Sequence, residues 1–114
     1  MIEIKIPIRV VSEANQRCHW ATRHRRFKKQ KDAVRLLLKP LIRGFSVDGK
    51  ITITLTRYGK RKLDTDNLAG AFKAVRDAIA KLLGIDDGSE RLVWKYEQKK
   101  GDYAIRIKIE GGEK

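Results

Sequence analysis

Lys62-Leu63-Asp64-Thr65-Asp66-Asn67-Leu68 opens a series of apolar residues, Leu68, Phe72, Val75, Ile79 and Leu82, that recur at helical spacing. The spacing predicts a helix from about Asp66 to Leu83, with Gly84 as a C′ residue. Asp66 or Asn67, standing just before the series, suits its N-cap. The same stretch concentrates carboxylates in a chain poor in them, with Asp+Glu 14 against Lys+Arg 27. Asp64 and Asp66 are two positions apart, and Asp86-Asp87 follow beyond the helix. At i and i+2, Asp64 and Asp66 fall on one side of an extended segment and can share a cation. A cap uses one carboxylate, so the second Asp and the later pair are a surplus. Hard oxygen ligands of this kind suit Mg²⁺, which binds one or two carboxylates, keeps several waters and lets phosphate complete its octahedron.

Upstream, Asp48-Gly49 marks a turn into a strand where Ile51, Ile53 and Leu55 alternate with Thr52, Thr54 and Thr56. That strand runs through the basic loop Arg57, Lys60, Arg61, Lys62 into Asp64. A cation cluster abutting carboxylates lets phosphate approach against their repulsion. Downstream, Leu92, Trp94 and Tyr96 share one side of a strand over Arg91 to Gln98. Lys99-Lys100-Gly101-Asp102 reads as a hairpin turn into a last strand, Tyr103 to Glu110. At the N-terminus Ile2, Ile4, Ile6 and Ile8 alternate with polar residues and Pro7, as in an edge strand. From Lys28 the chain turns helical, with Val34, Leu37, Leu38 and Leu41 as the apolar face, and Pro40 ending or kinking the last turn. The order β-α-β-α-β-β predicts a two-layer α/β domain, a mixed four-stranded sheet with two helices on one face. At 114 residues it is a single domain, placed at 1–110 with 111–114 as a disordered tail.

The net charge of +13 points to a polyanionic partner, most simply nucleic acid. No basic amphipathic segment or apolar span argues for a membrane. A single cysteine, Cys18, excludes an intrachain disulfide framework and fits a reducing cytoplasm. Val11 to Phe27 lacks a period and mixes Arg17, Arg23, Arg25 and Arg26 with His19, His24, Trp20 and Phe27. Guanidinium groups fork onto phosphates and aromatic faces stack on bases, so the segment reads as a DNA-contacting loop. The alternative is a solvated basic loop with Trp20 plugging the core. Cys18, His19 and His24 lack a fourth ligand and match no zinc spacing.

The run LDTDNLAGAFKAVRDAI, followed by LLGIDDGS, resembles the signature of the RusA family of Holliday-junction resolvases, small dimeric endonucleases of bacteria and their phages. The similarity extends to a short first strand, an Asn in a polar loop (Asn15), a basic first helix and a C-terminal hairpin. It covers most of the chain, but its specific part is the aspartate helix with the Asp-Asp pair. The resemblance implies hydrolysis of phosphodiester bonds in four-way DNA junctions by a homodimer, with Mg²⁺ or Mn²⁺ as cofactor. Residue by residue, it implies metal binding by Asp64, Asp66 and Asp87, and catalysis by these three with Lys73. One departure concerns that lysine, which members with the shorter spacing carry one turn after the Asp-Asn pair, where this chain has Gly70. Asn15, Arg17, Arg23, Arg25, Arg26, Lys28, Lys60, Arg61 and Lys62 would hold the junction, mostly through phosphates. The setting implied is the bacterial cytoplasm, with the gene in host or prophage. Two other classes stay open, a non-catalytic nucleic-acid-binding protein and a nuclease acting on other branched DNA.

Asp87 poses a geometric problem. An unbroken helix from Asp66 to Leu83 is roughly 26 Å long at about 1.5 Å per residue. The four residues to Asp87 reach at most about 14 Å back. Either the helix starts late or breaks near Gly70, or two copies share a site across a two-fold axis.

Overall fold

The computed structural model describes residues 1–11 and 20–111. In chain order the elements are β1 (Ile2–Ile6), α1 (Trp20–Ile42), β2 (Ile51–Gly59), α2 (Thr65–Ala71), α3 (Lys73–Leu83), β3 (Leu92–Lys100) and β4 (Ala104–Gly111). The four strands form one sheet in the order β1-β4-β2-β3. β2 and β3 are parallel, and β4 is antiparallel to both β1 and β2. β1, β2 and β3 therefore point the same way. The crossovers β1-α1-β2 and β2-α2/α3-β3 step in the same direction across the sheet. Since such crossovers share one hand, both sets of helices lie on one face. This is the expected two-layer α/β fold.

The core lies between that face and the helices. Alternation in β2 and β4 buries Ile51, Ile53 and Leu55 beside Ile105, Ile107 and Ile109, against Val34 and Leu38 of α1 and Val75 and Ile79 of α3. The other face carries Thr52, Thr54 and Thr56 with Arg106, Lys108 and Glu110 and stays polar, with Thr56 donating to Glu97 at 3.2 Å. Among the described residues no helix is long and apolar enough to cross a membrane.

Several boundaries differ from the sequence reading. α1 starts at Trp20, not Lys28, so Arg23 to Phe27 are helical rather than loop. The first buried residue of α1 is Gln30, so its opening turns carry no apolar stripe to reveal them. Trp20 is 73% exposed and does not plug the core. The buried stripe is Gln30, Val34 and Leu38, while Leu37 and Leu41 sit on its exposed flank. Pro40 stands inside the helix, which runs on to Ile42. The carbonyl that Pro40 deprives of a donor belongs to Leu36, 76% exposed, where water can reach it.

β3 and β4 form no hairpin, because β2 lies between them. Residues 101–103 stride over the end of β2, where Gly101 N–H donates to Gly59 O at 3.1 Å. Two strand spacings are roughly 9–10 Å, within the reach of three extended residues, about 10 Å. β4 also continues to Gly111, which pairs with Ile51, so the domain extends one residue past the expected tail boundary. A Cβ at Gly111 would meet Ile51 Cα and Lys50 O at 2.9 Å, a contact only glycine avoids.

Candidate functional site

The parallel run of β1, β2 and β3 brings their carboxyl ends to one edge of the sheet. Arg9 follows β1, Lys60, Arg61 and Lys62 follow β2, and Lys100 ends β3. α1 and α2 begin at the same edge, because each runs back from the end of the preceding strand. Arg23, Arg25, Arg26 and Lys28 occupy the first turns of α1, and Asp64 and Asp66 the start of α2. Arg25 Nη2 donates to Thr22 Oγ1 at 3.4 Å, and Arg26 lines a hollow with Arg9 and Lys29. Asn15 and Arg17, like Cys18 and His19, lie outside the described residues.

The approach to Asp64 is fixed. Gln98 of β3 holds Leu63 from both sides, its Nε2 donating to Leu63 O at 2.7 Å and its Oε1 accepting from Leu63 N–H at 2.9 Å. The N-cap of α2 is Asp64, not Asp66 or Asn67, and its Oδ1 accepts from Asn67 N–H at 2.9 Å. Asp64 and Asp66 are consequently not neighbours on an extended strand. They are the cap and the second residue of a helix, both exposed.

The expected single helix is broken at Phe72, the C-cap of α2 and N-cap of α3, with φ −94° and ψ 7°. The break is not at Gly70. Phe72 is wholly buried, its ring 6.0 Å from that of Tyr96. The interruption falls between Asp66 and Lys73. Lys73 opens α3 and is exposed. Gly84 caps α3 in the left-handed conformation as expected, at φ 72°.

Asp87 follows α3 towards the opposite edge of the sheet and folds back onto β3, where Trp94 Nε1 donates to its carbonyl at 3.0 Å. Arg76 lies over the Trp94 ring at 4.8 Å, its Nε buried and without a partner. Burial pushes the Tyr96 hydroxyl up from its ordinary pKa. Arg76 beside it opposes the rise and Asp87 adds to it. Asp87 thus belongs to the Arg76-Trp94-Tyr96 group, while Asp64 stands at the Gln98 end of β3. Among the described residues no three His, Cys, Asp or Glu side chains gather closely enough to hold a metal ion. Asp64 and Asp66 stand at the start of α2, and Asp87 lies beyond the end of α3.

Two features escaped the sequence reading. Lys99 and Lys100, expected in a turn, belong to β3, and with Gly59, Lys60, Arg61, Lys62 and Gln98 they line a cavity of about 370 Å³. Only the parallel pairing of β2 with β3 could have revealed it. Arg57, grouped with the basic cluster, lies within the expected strand but is buried, 5% exposed. Its Nη1 donates to Arg61 O at 2.8 Å and its Nε to Val10 O at 3.3 Å. Burial lowers its pKa; Tyr103 opposes that and Arg9 adds to it.

No protein-family model matches the chain, and no curated protein matches it.

Proposed function

We propose that this protein is a divalent-metal-dependent endonuclease that cuts four-way DNA junctions as a homodimer, in the cytoplasm of a bacterium from a host or prophage gene. The observation that carries this reading is the meeting of Asp64 and Asp66 with the basic residues at the carboxyl edge of the sheet. Ligands of open α/β sheets dock at that edge.

The donor set suits magnesium. Two exposed carboxylates within one helical turn match an ion that takes one or two of them and leaves other positions to water and phosphate. The amide that binds Asp64 Oδ1 orients the carboxylate and leaves Oδ2 for the ion. Bound there, the ion would polarise a phosphoryl oxygen and acidify a water for in-line attack on phosphorus. Lys62 and Lys73 offset charge on the non-bridging oxygens. The cations of the α1 start and the β2–α2 loop hold the arms through phosphates. Asp87 completes the carboxylate set from the second copy, across a two-fold axis that sets α2 and α3 of the two chains antiparallel. Such a dimer has two equivalent sites, as paired nicks require.

A Mg²⁺-dependent cleavage assay on a synthetic four-way junction tests the reading, with flaps and linear duplex as alternative substrates. Wild type should nick the junction, and Asp66→Asn should abolish nicking while binding stays equal or tighter, since one repulsive charge is gone. A second reading, a non-catalytic nucleic-acid-binding protein, is favoured by the capping role of Asp64. Junction binding without cleavage in any divalent ion would select it.

A further inference from the structure

The cavity at the ends of β2 and β3 is a site in its own right. Of its seven lining residues five are cations, Lys60, Arg61, Lys62, Lys99 and Lys100, and the others are Gly59 and Gln98. Among the described residues none of the five has a carboxylate at ion-pair distance. The lining includes no acidic or aromatic residue, so a base would find no stacking partner there, whereas a sugar-phosphate backbone would find charge on several sides.

The walls are also fixed before any ligand arrives. Gln98 clamps Leu63, Gly101 N–H holds Gly59 O, and the Arg57 guanidinium holds Arg61 O from beneath. Gly59 leaves room for that guanidinium, because a Cβ there would stand 2.7 Å from Arg57 Nη1. A cation buried with only carbonyl partners is unfavourable by itself.

We propose that this cavity seats a backbone phosphate of a DNA strand, next to the phosphate offered to Asp64 and Asp66. The second half of that statement rests on the nuclease reading; the phosphate subsite does not. Leu63 is both the residue clamped by Gln98, which lines the cavity, and the one before Asp64. A strand anchored in the cavity therefore passes the aspartates with its neighbouring phosphate. Lys99 and Lys100 become binding residues and Arg57 a positioning residue beneath them.

The test measures binding of a fluorescent single-stranded oligothymidylate to the full chain in EDTA, as a function of salt. Lys99→Gln/Lys100→Gln removes two exposed cations from the cavity. Lys39→Gln/Lys50→Gln removes the same charge at the opposite edge of the sheet. Each phosphate contact contributes about 0.7 to the log–log salt slope on a single strand. The cavity variant should bind more weakly than the control and flatten the slope by up to about 0.7, and the control should leave it unchanged. Equal effects of the two variants overturn the proposal, since affinity then follows net charge alone. In a second arm phosphate replaces chloride at constant ionic strength. A loss in wild type that the cavity variant does not show means that phosphate and strand compete for the cavity, as the proposal requires; phosphate binding to the cavity with no loss of strand binding assigns it to free phosphate and overturns the strand. No step requires cleavage, so a protein that cuts nothing still gives an answer. Junction cleavage with equal slopes for the two variants would sink the cavity and leave the nuclease reading intact.

Discussion

One oxygen of Asp64 caps α2, and a pair of substitutions separates that duty from any role in binding a cation. Asn keeps the capping oxygen, whereas Ala removes it at a cost of about 1 kcal/mol. Asp64→Asn should therefore unfold within a few tenths of a kcal/mol of wild type and still lose junction cleavage, while Asp64→Ala loses both cleavage and about 1 kcal/mol. Urea denaturation beside a nicking assay checks this; an active Asp64→Asn would leave Asp64 a cap and nothing more. Tyr96 offers a test in pH. Its pKa is raised in the folded chain, so above the ordinary tyrosine value the unfolded chain loses the proton first. The resulting stabilisation is complete below the unfolded pKa, about 10, and is lost as pH rises through the higher folded value. Stability should fall over that alkaline window, and Tyr96→Phe should show a shallower fall than wild type. Parallel curves would mean that Tyr96 contributes none of it.

The helix after Asp64 shows why some of the structure could be read from the sequence and some could not. α3 and β2 announced themselves, because each lays a regular apolar row against the core. The break at Phe72 did not, since Phe72 occupies the same buried row as Leu68 and Val75 and nothing in the spacing sets it apart. Phe72→Ala should cost about 3–5 kcal/mol through the cavity it leaves. A urea midpoint close to that of wild type would show that Phe72 is not the anchor. The start of α1 was hidden for the opposite reason, since its first turns touch no core. Asp64 and Asp66 stood out as scarce carboxylates among many cations. Lys99 and Lys100 did not, because Lys60 to Lys62 approach them only through the long-range pairing of β2 with β3.

The separation of Asp87 from Asp64 and Asp66 bears on the assembly. If two copies share each site, mixing the inactive Asp66→Asn and Asp87→Asn proteins should restore nicking, since one heterodimer site is then wild type throughout. Verified subunit exchange with no recovered activity would place each site within a single chain. The stride of residues 101–103 over β2 has a different consequence, for the order in which the domain is made. β4 comes last in sequence yet is inserted between β1 and β2, the first strands to emerge during synthesis. Until Gly111 has cleared the ribosome, β1 has no strand to pair with and β2 lacks one of its two neighbours. The helices have only half a sheet to cover during that interval. Closure of the domain therefore waits for its final eight residues, and a ribosome stalled before them holds a chain with its isoleucines still exposed to chaperones.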